Sequence, residues 1–214
     1  MRWKEGLLFL IAGCMLTVVV SCGDEEGYAP SYEMGLLDLH TDATGKMVTA
    51  MDDLDREWTV VVDGKTYKAD TVYRCMAVFV RQENKLEIHQ LGSVLTVMPF
   101  KWQDELVFHA DPVKVQSSWK VNRYINFSLQ IPRKQLTHVL GCVDGGIRTM
   151  DGGYKKAIVY LYHDAFGDEE AFDATTYMSL PMTYYADSLV AGRDSIAVQI
   201  SVKDKGWVSY PFPF

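Results

Sequence analysis

Arg123-Tyr124-Ile125-Asn126-Phe127-Ser128-Leu129-Gln130-Ile131 alternates polar and apolar side chains almost at every step. Ile125, Phe127, Leu129 and Ile131 fall on one face of an extended chain, and Tyr124, Asn126, Ser128 and Gln130 fall on the other. That period of two belongs to a half-buried strand. Residues 195–202 repeat it, with Ile196, Val198, Ile200 and Val202 inward. Two such rows supply facing sides of one apolar core.

Outward from these rows the same grammar continues. Trp58-Thr59-Val60-Val61-Val62, then Asp63-Gly64, then Lys65-Thr66-Tyr67-Lys68-Ala69 predicts a hairpin on a two-residue loop. A second hairpin is predicted from residues 76–81 through Glu83-Asn84-Lys85 to residues 86–90. Further strands are expected over 33–40, 93–98, 105–109, 157–163 and 177–182. Helical spacing is scarce: Met47, Met51 and Leu54 share a helical face over 46–54, a stretch that also suits a strand. Asp144-Gly145-Gly146 and Asp151-Gly152-Gly153 are read as flexible loops between strands, since no helix or P-loop lysine follows them. Many short strands with Gly, Pro, Asn and Asp turns make an all-β protein. Ala110-Asp111-Pro112 interrupts the pattern midway, so two small β domains are expected, at 33–113 and 114–214.

The chain has 214 residues, of which 48% are hydrophobic and 23% charged, a globular composition. Its net charge of −7 gives no global support to a nucleic-acid groove or a polybasic membrane patch.

Arg2 and Lys4 precede an apolar run from Leu7 to Val20, and Ser21-Cys22-Gly23-Asp24-Glu25-Glu26 follows. The run is shorter than the about 20 residues a membrane-spanning helix needs, so residues 1–21 read as a signal peptide. Val19-Val20-Ser21-Cys22 resembles a bacterial lipobox, which makes Cys22 the acylated N-terminus and residues 22–32 a lipidated tether. Cys14 is the weaker alternative, because cutting there leaves Met15 to Val20 on the mature protein. Asp24-Glu25-Glu26 resembles the export signal that takes some lipoproteins to the outer face of the outer membrane. Of the other cysteines, Cys75 and Cys142 both sit in apolar company; they read as buried free thiols, with a disulfide as the alternative that an oxidising compartment permits.

Known chemical signatures are missing. The five histidines, His40, His89, His109, His138 and His163, show no zinc-hydrolase spacing, and no Gly-x-Ser-x-Gly elbow occurs. Asp164, Asp168, Glu169, Glu170 and Asp173 surround Gly167 at a density that could hold calcium, but outside the EF-hand pattern. They read as a solvated acidic loop. The chain is therefore expected to be no enzyme, with no cofactor and no metal site.

Residues 123–132, then His163-Asp164-Ala165-Phe166-Gly167-Asp168 after a strand, then Tyr177-Met178-Ser179-Leu180-Pro181 and Asp194-Ser195-Ile196, resemble in order and spacing the C-terminal domain of the NigD-like lipoproteins. The resemblance spans about 119–214 and implies an OB-like N-terminal barrel followed by an immunoglobulin-like β-sandwich. It carries no established activity. The expected function is a non-enzymatic envelope lipoprotein, anchored in the outer membrane, that binds a glycan, a peptide or a partner protein. The rival is a fimbrillin-like structural subunit. Against the rival, Pro211 and Pro213 remove hydrogen-bond donors from a terminal strand whose Val208, Tyr210, Phe212 and Phe214 share one face.

Overall fold

The computed structural model describes residues 30–61, 64–103 and 107–214. The signal segment, Cys14, Cys22, the tether up to residue 29, Asp63 and Glu105 lie outside the described residues. Residues 31–214 form one compact unit.

β1 (Tyr32–Thr41), β2 (Met47–Asp52), β3 (Glu57–Val61), β4 (Val72–Gln82) and β5 (Lys85–Ser93) close a barrel in the order β1-β2-β3-β5-β4. β3 and β5 run parallel, and β4 returns to pair with β1. This is the five-stranded Greek-key order of an OB barrel. Leu37, Leu39, Met47, Ala50, Phe79 and Leu86 fill its interior.

The second expected hairpin forms, with Gln82 opposite Lys85 and Glu83 in the left-handed region at φ 46°. The first does not: β3 pairs with β2 and β5, and residues 65–69 form no strand. That segment instead fastens to the β1–β2 turn, where Tyr67 N–H donates to Gly45 C=O at 2.8 Å and Thr41 Oγ1 donates to Lys68 C=O at 2.8 Å. Gly45 has φ +79°, and a Cβ there would lie 2.2 Å from the Tyr67 carbonyl oxygen. The Asp-Gly pair was a local signal that these longer-range bonds outweigh. The helical spacing at 46–54 also yields to a strand, β2, which ends where Asp52 Oδ1 accepts the N–H groups of Leu54 and Arg56 at 2.9 and 3.0 Å.

The next stretch feeds both sheets of a sandwich. β6 (Leu95–Thr96) pairs with one sheet and β7 (Phe100–Lys101) with the other, separated by Pro99, which lacks the N–H to continue either ladder. The strand expected over 93–98 is thus cut to two residues. Residues 107–109 form no strand either, since His109 C=O instead accepts the His163 N–H at 3.1 Å.

β8 (Lys114–Lys120), β9 (Tyr124–Arg133), β10 (Val139–Thr149), β11 (Lys155–Asp164), β12 (Phe172–Pro181), β13 (Ser195–Val202) and β14 (Gly206–Pro213) complete two sheets, β6-β12-β9-β8 and β14-β13-β11-β10-β7. Ile125, Phe127 and Leu129 of β9 face Ile196, Val198 and Ile200 of β13 in one buried core, as the alternating rows predict. Asp144-Gly145-Gly146 is a bulge inside β10 rather than a loop, whereas Asp151-Gly152-Gly153 is the tight turn between β10 and β11. Cys75 and Cys142 are free, and burial pushes the Cys142 thiol up to about 12.

Within the polar row of β9, Asn126 and Ser128 are buried as well. Asn126 is fully covered because Arg74, from the barrel, reaches it with Nη2 at 3.3 Å from Oδ1. The same guanidinium bonds Asp38 at 3.2 Å and Asp53 at 2.6 Å, and stacks over the Tyr124 ring at 4.3 Å. Arg123 closes the network on the other oxygen of Asp38 at 2.5 Å. Barrel and sandwich are joined by buried charges.

Candidate functional site

The outer face of the five-stranded sheet carries aromatic rings where polar residues would be ordinary. Tyr160 and Tyr162 point outward from β11, alternating with the buried Val159 and Leu161. Trp207, at the start of β14 opposite Ser201, meets Tyr160 edge-on at 5.8 Å. Phe108 lies over the row, 5.9 Å from Tyr162 and stacked at 6.2 Å on Trp207, and Trp102 sits at 5.3 Å from Phe108.

Trp102, Phe108, Tyr160 and Trp207 border an open cavity of about 460 Å³, floored by Val143, Asp144 and Gly145. Gly145 makes the floor possible, since a Cβ there would lie 2.6 Å from the Tyr160 ring. Trp207 is 51% exposed and Phe108 36%, so the face is reachable from solvent. An exposed, contiguous apolar patch rimmed by polar groups marks an interaction surface. The Asp144 carboxylate itself turns the other way and accepts the hydroxyl of the buried Tyr185 at 2.9 Å. A cavity of about 490 Å³ also opens on the barrel beside Tyr67, Tyr73 and Cys75, without such a ring cluster.

The acidic residues singled out from sequence diverge. Asp168 accepts the N–H groups of Lys134 and Leu136 at 2.7 and 3.2 Å; Glu169 pairs with Lys134, Glu170 with Lys203 and Asp173 with Lys114. Asp164 alone turns toward the aromatic face, where His109 Nε2 lies 3.7 Å from its Oδ2. Burial, then the charge of Asp164, raises the Tyr162 phenol above its ordinary value.

Behind this end lies a chain of polar contacts. His163 Nδ1 faces the Asp111 carbonyl at 2.8 Å, its Nε2 faces His138 Nδ1 at 2.9 Å, and His138 Nε2 faces Asp168 at 3.3 Å. With Nδ1–H of His163 donating to the Asp111 carbonyl, its Nε2 is the acceptor that faces His138. Burial holds His163 below its ordinary value, with the His138 ring opposing its charge in addition. The Lys134 N–H, with His138 and two further N–H groups, holds Asp168 down to about 2.

Acid should act on this cluster in two stages. A histidine depressed by folding contributes stability that is complete above about pH 6.5 and is lost as pH falls through the lowered value. A depressed carboxylate contributes stability present above about pH 4 and lost toward pH 2. The melting temperature is therefore expected to fall below pH 6.5 and again below pH 4. His163→Gln should remove the first stage; a first stage that survives in that variant assigns it elsewhere.

The sequence profile of the NigD-like C-terminal beta sandwich domain matches residues 96–214. No curated protein matches the chain in sequence. Several solved structures share its fold. A NigD-like immunity protein from Bacteroides caccae is 24% identical, with a TM-score of 0.69 over 87% of this chain and 99% of its own. A candidate toxin-related protein from Parabacteroides distasonis is 11% identical, with a TM-score of 0.65 over 86% of this chain and 93% of its own. A candidate lipoprotein from Bacteroides fragilis is 13% identical, with a TM-score of 0.57 over 86% of this chain and 96% of its own. Since the profile covers more than half of the sequence, including both buried strand rows and the whole aromatic face, the chain belongs to the NigD-like family.

Proposed function

We propose that this NigD-like protein is a lipid-anchored module of the cell envelope, without enzymatic activity, that binds a glycan across its aromatic face. The observation that carries the reading is the ring cluster of Trp102, Phe108, Tyr160 and Trp207 around one open cavity, with Tyr162 beside Phe108. Flat rings offer an apolar surface to the C–H faces of sugars. Anchoring rests on Cys22 in its lipobox-like context and on the likeness to the candidate lipoprotein of Bacteroides fragilis. Outer-membrane and surface placement rests on Asp24-Glu25-Glu26.

The fimbrillin-like alternative is disfavoured by β14. Phe214 N–H donates to Asp194 C=O at 2.8 Å, so Phe212 and Tyr210 share the parity of residues that bond β13. Pro211 and Pro213 occupy the other parity, and their missing donors face the open edge. That edge is unsuited to accept another strand.

The test is titration of the full-length chain in detergent against envelope and host polysaccharides, read by tryptophan fluorescence and calorimetry. Saturable binding that weakens at least about tenfold in Trp207→Ala, with an unchanged melting temperature, is expected from loss of a ring contact of about 1.4 kcal/mol or more. Binding indifferent to Trp207→Ala and Phe108→Ala, or capture of a protein toxin on the same face with no glycan bound, defeats the reading. For the anchor, Cys22→Ala is expected to abolish uptake of labelled fatty acid; uptake lost in Cys14→Ala instead moves the site.

A further inference from the structure

His109, Asp111 and Asp164 come from two segments that meet only in the fold, and one donor atom from each lies within 4.8 Å of the others. The backbone holds them there: Asp111 N–H donates to His163 C=O at 3.0 Å, and His163 N–H donates to His109 C=O at 3.1 Å. Each carboxylate is pinned by one oxygen only. Asp111 Oδ2 accepts the Ala165 N–H at 2.7 Å, and Asp164 Oδ1 accepts the Phe166 N–H at 2.8 Å. The second oxygen of Asp164 faces the His109 ring at 3.7 Å, and the Tyr162 hydroxyl is the other side-chain group beside this carboxylate. Among the described residues no lysine or arginine pairs with either carboxylate.

Two neighbouring carboxylates without a lysine or arginine beside them, one with its side chain only 11% exposed, repel each other and favour a cation between them. We propose that His109, Asp111 and Asp164 hold a divalent transition-metal ion of the zinc class at the end of the aromatic face. The donor set selects the class. Imidazole with carboxylates suits zinc and its neighbours, whereas calcium takes about six to eight oxygens, more than this cluster offers. The 3.7 Å from His109 Nε2 to Asp164 Oδ2 is close to the edge of a coordination polyhedron whose ligands stand about 2.0–2.2 Å from the ion. Carboxylates steadied by N–H groups through their other oxygen are the outer support such sites use. The His109 side chain is 40% exposed, which leaves an entry path and room for water or a ligand oxygen in the remaining positions. No sequence motif announces the site, because residues 109 and 164 are brought together by the bridge of Ala110 to His163.

The inference is independent of the glycan reading, and its test uses metal alone. Full-length chain in detergent, stripped with chelator, is titrated with Zn²⁺ by calorimetry and with Co²⁺ by visible absorption. One equivalent is expected to bind, to raise the melting temperature and, for Co²⁺, to give the absorption of a nitrogen- and oxygen-ligated ion. His109→Ala and Asp164→Asn should each weaken binding at least about tenfold, while His89→Ala leaves it unchanged. Asp164→Asn could disturb the β11 turn; His109→Ala removes an exposed ring and decides the matter if that variant melts poorly. Absence of saturable binding, or binding retained in His109→Ala, overturns the proposal.

Discussion

Deleting residues 208–214 is expected to abolish cooperative thermal unfolding of the whole chain. β14 is the edge of the five-stranded sheet, paired with β13 along its full length from Ser195–Pro213 to Val202–Gly206. Val208, Tyr210, Phe212 and Phe214 turn inward and pack on the sandwich core, and Phe127 meets Tyr210 and Phe212 edge-on at 5.7 and 5.9 Å. Full burial of such a side chain is worth about 1.5–3 kcal/mol, and these are half-buried, so each contributes on the order of 1 kcal/mol. Their removal also strips Phe127 of both rings that it meets. A domain stable by about 5–15 kcal/mol does not tolerate the combined loss. Deleting residues 23–30 instead should leave the melt unchanged. Circular dichroism melts of the two deletions side by side make the check; a β14 deletion that melts cooperatively at the wild-type temperature would show the strand to be dispensable.

What the sequence discloses follows from how far apart the interacting residues lie. Rows of period two at 123–131 and 195–202 are local, and both become core strands with their apolar members fully buried. The Glu83-Asn84 hairpin is local too, and it forms. The Asp63-Gly64 hairpin was as local in appearance, but Thr41 and Gly45 compete for the backbone of residues 65–71 from more than twenty positions away. The bulge at Gly145 escaped for a similar reason. A Gly-Gly pair reads as a loop, and only the Tyr160 ring beside it shows why a strand needs glycine there.

The candidate site was less legible than the fold. Tyr160 and Tyr162 on the outward phase of β11 were a visible signal, since a strand facing water would carry polar residues there. Trp207 joins them from the outward phase of β14, and Trp102 and Phe108 from segments without periodicity, so their convergence is a tertiary fact. The acidic loop is dense in carboxylates, but density along the chain is not convergence. Lys114, Lys134 and Lys203 draw Asp173, Glu169 and Glu170 apart.

Arg74→Ala is expected to destabilise the protein by about 3–5 kcal/mol, the cost of removing one partner from a buried ion pair. Arg74 and Asp38 have side chains only 2% exposed, and Asp38 receives Arg74 Nη1 on one oxygen while Arg123 and Tyr124 occupy the other. Without the guanidinium, Asp38 keeps a single cation, Asp53 loses its partner at 2.6 Å, and Asn126 Oδ1 keeps only the Ser179 hydroxyl at 2.7 Å. Asn126 Nδ2 already has no partner, so no protein group is at hand to fill the gap. Arg74→Lys should recover only part of the loss, because an ammonium cannot span Asp38, Asp53 and Asn126 at once or stack flat on Tyr124. The paired replacement Arg74→Met with Asp38→Leu should be far milder than Arg74→Ala, since it removes the buried charge along with its partner. Urea denaturation of the four proteins separates the cases. A single Arg74→Ala variant within about 1 kcal/mol of wild type would show that water replaces the guanidinium and that the joint between barrel and sandwich does not depend on it.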